Sequence, residues 1–547
     1  MVDRCIVDAL CRRFNLWQRL QAEPSLDPRQ RLGAGFTPAA NVAQILFALT
    51  SGGASLADAE RLGQDAVLLQ LVGLARGADQ TTLGEWLRAQ TAQSVRALHR
   101  INADLVDWAS GQAQPGRWLH GGEVELFFDD TEIEVAGHKF AGARKNYEGN
   151  RAFSWQTLWY GPWLLDGILD GAGDVSAHLP ELVAEHQARW ATRPSYFYAD
   201  SAASAGKYLN QLAPAHFSRW SVSYNKWTDQ LDRLAAELPE RQWSPLPPAG
   251  QPPEQYAWLK HQPGECAQVQ TFATVRWKED GDLLWRYAYR VCQAGPADSP
   301  QAVFERHQRK GAKEQHFREV LSGLDLHHPP CQDLLANQAF YAIGMLAYNV
   351  LVSLKVLDLP AEAQGWRITT IIRQLLTVPV KVSTHARYTV ATLCIAAGWL
   401  GWWRLFVQQW VPKRRPGGAY VLPWTEYKRP VPAIIFHGTA DPIVPFHART
   451  SGRFNMLPDI PEWVRSLAAV NGCRTNALSL PGNGTVSGVR YPGVTNNAEV
   501  VFYTVTGSGH TWPGGKPMAK FIVGKTTTDV DATRLTWSFF VEHPLAR

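Results

Sequence analysis

Three acids in this 547-residue chain have the type and setting to do chemistry together. Asp129 closes the apolar run "LFFD", Asp200 closes "SYFYAD", and Glu314 lies inside the basic stretch "RHQRKGAKEQHFREV". Phosphodiester cleavage needs a strong nucleophile and neutralisation of charge on the transition state. Two divalent ions about 3.5–4 Å apart supply both. Such hard ions take carboxylate oxygens, which the protein must bring from distant positions on rigid elements. Singly, each acid has a plainer reading. An Asp after a strand is most often a cap or turn residue, and a Glu among Lys and Arg is most often a surface partner. The order and local wording of the three favour a shared site. The helix around Glu314 would also bring Arg306, Arg309, Lys310, Lys313 and Arg318 towards phosphates; a solvated charged face is the alternative for several of them.

A second pair lies near the C-terminus: Asp441 in "HGTADPIVPF" and His510 in "GSGHTWPGG". They have the types of the acid and base of a serine hydrolase, in which Asp orients His and His takes a proton from Ser. That fold carries its Ser on a strand-to-helix elbow, as G-x-S-x-G. No Ser in the chain has Gly at both −2 and +2.

The elements that must position these residues follow from periodicity. Residues 1 to about 115 read as helical. Thr82 and Glu85 suggest a capping box, and Ser55 with Asp58 opens an earlier helix in the same way. From Glu123 the period becomes two, with Val124, Leu126 and Phe128 on one face of a strand that ends at Asp129. Further strands are expected at Trp155–Trp159, Tyr196–Tyr198, Trp220–Tyr224, Val269–Trp277 and Leu284–Cys292. Long helices are expected at about 300–323 and 333–356. "SGQAQPG" (110–116) and "VPKRRPGGAYVLPW" (411–424) read as linkers and "SPLPPAGQPP" (244–253) as a loop. After the second linker, "VPAIIFHG" and "EVVFYTV" are strands and "DATRLTWSFFVEH" a closing helix. The most apolar run, Thr389–Trp403, is shorter than the roughly 20 residues of a spanning helix, so we expect a core helix there and no membrane partner.

Composition adds limits. A net charge of +5 is too small to mark nucleic-acid binding, so any DNA footprint must be local. Seven scattered Cys without a C-x-x-C argue against a zinc site or a disulfide framework and fit a reducing compartment. The start "MVDRCIVDALCRRF" has no apolar signal core, so a cytoplasmic location is expected. The 23 Trp read as core aromatics.

At its three acids the chain resembles bacterial insertion-sequence transposases of the DDE type, specifically group 1, over about residues 30–410. The words are "FFDDTEIEV", "YFYADSAAS" and "KGAKEQHFREVLSGLDLHHPPCQDLLANQAFYAIGMLAYNV", the last including Asn337 and Tyr348-Asn349. The resemblance implies DNA transposition at Asp129, Asp200 and Glu314, with two Mg²⁺ (or Mn²⁺) ions. It implies binding of double-stranded DNA, both terminal inverted repeats and target, by a homodimer in a synaptic complex at the nucleoid. Phosphate contacts would come from Arg309, Lys310, Lys313 and Arg318. Where the wider clan carries Tyr, Arg and Lys around the Glu, this chain has His307, Lys310 and Leu321. Asp130 adjoins Asp129 and is the alternative first ligand; Asp129 is preferred because it begins a D-x-T word with Thr131. Residues 429–547 resemble the C-terminal part of polyhydroxybutyrate-depolymerase-like and feruloyl-esterase-like hydrolases, with Asp441 and His510 as a vestigial dyad. The fold class expected is therefore mixed α/β. A helical N-terminal DNA-binding domain (1–115) leads into an RNase H-like core (116–412) with a β insertion at about 225–295. A linker (413–428) and a truncated α/β-hydrolase fragment (429–547) follow. The rival readings are an ester hydrolase completed by an unrecognised serine, and a non-catalytic DNA-binding relic.

Overall fold

The computed structural model describes residues 2–29, 35–65, 69, 76–146, 148–212, 217–225, 228–248, 253–279, 281–377, 380–385, 388–393, 432–442, 444–447, 459–494, 498–516 and 520–543. Within these, the side chains at 2–5, 312–314, 380–385, 388–393, 470, 521 and 522 are outside the description. The expected linker at 413–428 lies outside the described residues. The chain divides into two compact units, residues 1–400 and 401–547.

The first unit opens with helices α1 (Val2–Arg13), α2 (Leu16–Gln21), α3 (Pro38–Thr50), α4 (Leu56–Leu62), α5 (Gln80–Arg88) and α6 (Ala92–Gln112). Ser55 caps α4 as its spacing predicts, accepting from the Asp58 amide, while the Asp58 carboxylate accepts from the Ser55 hydroxyl at 2.8 Å. Helix α5 differs from expectation. It starts earlier, on Asp79, whose side chain accepts from the Thr82 amide at 2.8 Å. Thr82 is thus the third helical residue and not the cap, because Asp79 offers the same acceptor one turn ahead. The capping box lies instead at Thr91 and Ser94, opening α6.

Nine strands then form one sheet: β1 (Val124–Glu134), β2 (Arg144–Lys145), β3 (Arg151–Tyr160), β4 (Trp163–Gly171), β5 (Ser195–Ala199), β6 (Arg219–Tyr224), β7 (Gln255–His261), β8 (Gln270–Trp277) and β9 (Arg286–Gln293). The order is β4-β3-β1-β5-β6-β9-β8-β7, with β2 beside the first residues of β3. Strands β1, β5 and β6 run parallel and all other pairings are antiparallel. Strands β7 to β9 thus extend the main sheet. Strand β1 is buried without interruption from Val124 to Phe128, as a central strand with both faces covered must be.

Helices α7 (Leu179–His186), α8 (Gly206–Leu212) and α9 (Thr228–Ala236) fall between strands. Two long helices, α10 (Pro300–Gly323) and α11 (Leu334–Asp358), follow the sheet. Helix α11 has the length and apolarity of a membrane span, but most of it is buried among α3, α6 and β4, so it is a core helix. Its asparagines are structural. Asn349 accepts from the Leu164 amide at 2.9 Å and donates to the Leu164 carbonyl at 2.7 Å and to Asn102 of α6 at 2.8 Å. Asn337 closes the preceding loop on both backbone groups of Cys331. The apolar run expected as a helix from Thr389 begins instead as strand β11 (Tyr388–Leu393), paired with β10 (Val380–His385). Its β-branched Thr389, Val390 and Thr392 suit a pleat. The rest of that run lies outside the described residues.

In the second unit, strands β12 (Ala433–Gly438), β13 (Leu478–Asn483), β14 (Val486–Tyr491) and β15 (Val500–Val505) order as β12-β15-β14-β13, with β12 and β15 parallel. An amphipathic helix (Ile460–Val470) packs Ile460, Val464 and Ala468 against Val500 and Phe502.

Candidate active site

Parallel pairing places two of the acids side by side. Phe128 of β1 is level with Ala199 of β5, so Asp129 and Asp200 stand one step on, at the same height on neighbouring strands. Asp129 does not end its strand, as the sequence suggested. Strand β1 continues to Glu134 because β3 pairs with it throughout, Asp129 opposite Thr157 and Glu134 opposite Ala152. Asp200 does end β5. It caps a short 3₁₀ turn over Ser201–Ser204, accepting from the Ala202 amide at 2.9 Å.

Strand alternation separates the adjoining acids. Asp129 shares a face with Phe127 and Glu125. On that face Phe127 meets His316 of α10, and Glu125 accepts from Tyr198 at 2.7 Å and from Arg309 of α10 at 3.4 Å. Asp129 itself accepts from Lys310 of α10, Nζ to Oδ2, at 3.0 Å. Asp130 turns to the other face, where Ser154 of β3 donates to it at 3.3 Å. Of the two, Asp129 is the one that faces the helix carrying Glu314.

Helix α10 is set on the sheet by a repeating stripe. Its buried positions Val303, His307, Lys310, Phe317 and Leu321 recur at spacings compatible with three and four, and position 314 falls in the same series, one turn beyond Lys310. The side chains of Lys313 and Glu314 lie outside the described residues. His307 fixes the helix: its Nδ1 bonds Ser221 Oγ at 2.8 Å and its Nε2 bonds Ser223 Oγ at 2.9 Å, both on β6. Nothing in the spacing marked His307 for this role; it read only as a departure from the related pattern. Among the other basic residues, Lys310 is buried, Arg318 is exposed, and Arg306 is tied to Asp298 at 2.5 Å.

The electrostatics follow from burial. The Asp129 carboxyl is raised above the usual range by burial, opposed by Lys310 and reinforced by Asp200. Asp130 is pushed up to about 7 by burial, then by Asp129 and Asp200. His307 is lowered to about 3, by burial and then by Arg290 and Lys310, so its ring is neutral near pH 7. Asp129 and Asp200 present hard oxygens at one level, and the cation paired there with Asp129 is the Lys310 ammonium. This donor set fits a divalent ion.

Asp166, Glu185 and His186 also stand close enough to hold a metal. Their bonds favour another reading. Asp166 takes His99 Nδ1 at 2.7 Å on one oxygen and His186 Nε2 at 2.6 Å on the other, while Arg189 meets His186 Nδ1 at 2.8 Å. Both carboxylate oxygens and both ring nitrogens of His186 are engaged. The cluster ties α6 and the end of α7 to β4.

In the second unit, Asp441 follows β12 and His510 follows β15. Their side chains meet, His510 Nδ1 to Asp441 Oδ2, at 2.8 Å. The other Asp441 oxygen accepts from the Val444 amide at 2.8 Å. Gly438 lets the two loops approach, since a Cβ there would lie 2.2 Å from the Ser508 carbonyl oxygen; Gly509 in turn admits the Val523 carbonyl behind the His510 loop, 2.0 Å from where its Cβ would be. His510 is half exposed.

A family model described as transposase DDE domain group 1 matches residues 5–406. No curated protein matches the chain.

Proposed function

The chain belongs to the group 1 transposase DDE domain family, and from that footing we propose that it is a DNA transposase that cuts insertion-sequence ends and joins their 3′-OH groups to target DNA. The observation that carries this reading is the placement of Asp129 and Asp200 at one level of the sheet, beneath the helix that bears Glu314. The central order β4-β3-β1-β5-β6, with three antiparallel strands followed by two parallel additions, supports an RNase H-like core, and we read β7 to β9 as the expected insertion. Asp129, Asp200 and Glu314 would hold Mg²⁺ or Mn²⁺. When bound, such ions activate the attacking oxygen and neutralise the leaving one. The chain's own part is to hold those carboxylates rigidly. Strand pairing fixes Asp129, the turn after β5 fixes Asp200, and the His307 clip fixes α10. Exposed Arg318, together with Lys313, would make phosphate contacts, and the N-terminal helices would recognise element ends in double-stranded DNA. Transposition would proceed in a homodimeric synaptic complex at the nucleoid in the cytoplasm.

The second unit we read as an inactive hydrolase remnant fused to the transposase. The dyad has an acid and a base, but acyl transfer also needs a nucleophile and oxyanion donors. The G-x-S-x-G word that would supply the serine is missing from the sequence.

The test is cleavage of duplex DNA carrying the element ends, with Mg²⁺. Asp129→Ala, Asp200→Ala and Glu314→Ala should each abolish cutting and leave DNA binding largely intact. A variant that cuts at the wild-type rate removes that acid from the site.

A further inference from the structure

We propose that Lys310 is a resident counter-ion of the metal site. Its ammonium competes with a divalent ion for Asp129 and yields when DNA phosphate draws it away, so that metal loading is coupled to DNA binding. This rests on the reading of Asp129 and Asp200 as metal ligands.

The geometry is specific. Lys310 lies on the buried stripe of α10, and its side chain and that of Asp129 are only 11% and 12% exposed. Its Nζ is 3.0 Å from Asp129 Oδ2. A lysine on a solvent-facing side of a basic helix would reach for water; this one, midway along α10, neutralises a carboxylate that has Asp130 next to it and Asp200 at the end of the adjacent strand. Burying such a group without a partner is costly. A divalent ion would sit about 2.0–2.1 Å from a ligating oxygen. Asp129 Oδ1 already accepts from the Asp130 amide at 3.2 Å; an ion taking the Oδ2 that Lys310 holds would stand no more than about 5 Å from the ammonium in a shielded site, where like charges repel strongly. The ion and the ammonium therefore compete for Asp129. The helix cannot easily withdraw, because His307, one turn before Lys310, is clipped to Ser221 and Ser223. The ammonium can: it is a point charge on a flexible four-carbon stem. The anion that suits it is a phosphodiester. By linkage, DNA must then raise the affinity for metal as much as metal raises the affinity for DNA.

The experiment uses the full-length chain and Mn²⁺ as the probe, with free Mn²⁺ read by electron paramagnetic resonance. Lys310→Met should bind Mn²⁺ at least about tenfold more tightly than wild type, since an opposite charge this near a carboxylate shifts its affinity for a cation by about one to three powers of ten. Lys310→Arg, which keeps the charge, should stay near wild type. With a mixed-sequence duplex added, and its own Mn²⁺ uptake subtracted, wild type should gain affinity and Lys310→Met should not. Unchanged or weaker Mn²⁺ binding by Lys310→Met, or equal gains on adding duplex, would overturn the coupling. Asp129→Asn and Asp200→Asn separate the two ideas. If both lose Mn²⁺ while Lys310→Met gains nothing, the ligands stand and the competition fails; if neither loses Mn²⁺, the metal reading itself fails. A readout on the unaltered protein guards against a variant that does not fold. Acetylation of Lys310, followed by mass spectrometry, should rise when Mn²⁺ is added, and a constant rate would count against displacement.

Discussion

The His307 clip gives the sharpest stability prediction, because it carries its own pH signature. The ring is 5% exposed and bonded through both nitrogens, to Ser221 at 2.8 Å and Ser223 at 2.9 Å. Replacing it with Ala removes two hydrogen bonds worth about 0.5–1.5 kcal/mol each and leaves a hole beside α10, so a loss of about 2–4 kcal/mol near pH 7.5 is expected. Ser221 keeps a partner in Tyr196 at 3.1 Å, which limits the cost on that side. Protonation has the same target. His307 is held down to about 3 in the folded chain, by burial first and then by Arg290 and Lys310, whereas a free histidine titrates near about 6.5. Between those values the unfolded chain binds the extra proton. The contribution of the ring is therefore complete above about pH 6.5 and is lost as pH falls towards about 3, at up to about 1.4 kcal/mol per unit. The gap between wild type and His307→Ala should narrow by about 2 kcal/mol between pH 7.5 and pH 5. With two compact units a single global unfolding energy is not defined, so the measurement is hydrogen exchange of β6 and α10 amides at the two pH values. His307→Gln, whose amide can reach one serine or both, should recover part of the loss. A gap that is small, or that does not change with pH, would refute both the clip and the neutral ring.

Other outcomes follow from the same geometry. Asp130→Asn should keep DNA cleavage while Asp129→Asn loses it, because the two carboxyls face opposite sides of β1; the reverse result in a cleavage assay would move the ligand by one residue. Asn349→Ala should destabilise the first unit by about 1–3 kcal/mol, since it strips the Leu164 amide of its side-chain partner while the Leu164 carbonyl keeps Asn102 at 3.0 Å; unchanged hydrogen exchange of β4 and α11 amides would contradict that role. Deleting 429–547 should leave cleavage intact and improve solubility, as it removes exposed Trp537, Phe540 and Val541. The full-length chain should not hydrolyse p-nitrophenyl esters above a His510→Ala control, and ester turnover that depends on His510 would promote the hydrolase reading. If the fusion arose by readthrough, DNA encoding about residues 411–430 should hold a terminal repeat of the element; upstream DNA with no hydrolase fragment would sink that history.

What the sequence discloses here divides by the range of the interaction that decides it. Strands β1, β5, β6, β8 and β9 and helices α10 and α11 announce themselves, because each carries a run of its own period bounded by polar or turn residues. Strand β4 does not. "WLLDGILDG" holds two Gly and two Asp that look like turn residues, yet Asp166 is paired with two histidines from other elements and Gly167 lies against Trp155 and Met345. Thr82 lost the cap to Asp79 for a local reason, a competing acceptor one turn earlier. The end of β1 is set by a distant one: "DTEIE" is too polar to read as strand, and it is held as strand by its ladder to β3. The candidate site shows the same division. Asp129 and Asp200 can be singled out as candidates because each closes an apolar run, and Glu314 because its neighbours resemble known words. His307 was not, because its meaning lies in two serines on another strand, 84 and 86 residues away. Lys310 was legible as a cation but not in its direction. A basic helix in sequence looks solvent-facing all round, and only the three-and-four spacing of Val303, His307, Lys310, Phe317 and Leu321 shows that one of its lysines must point inward. That spacing was present all along. It becomes decisive once a sheet carrying two adjacent carboxylates is packed beneath it, since an inward lysine is tolerable only where a buried anion meets it.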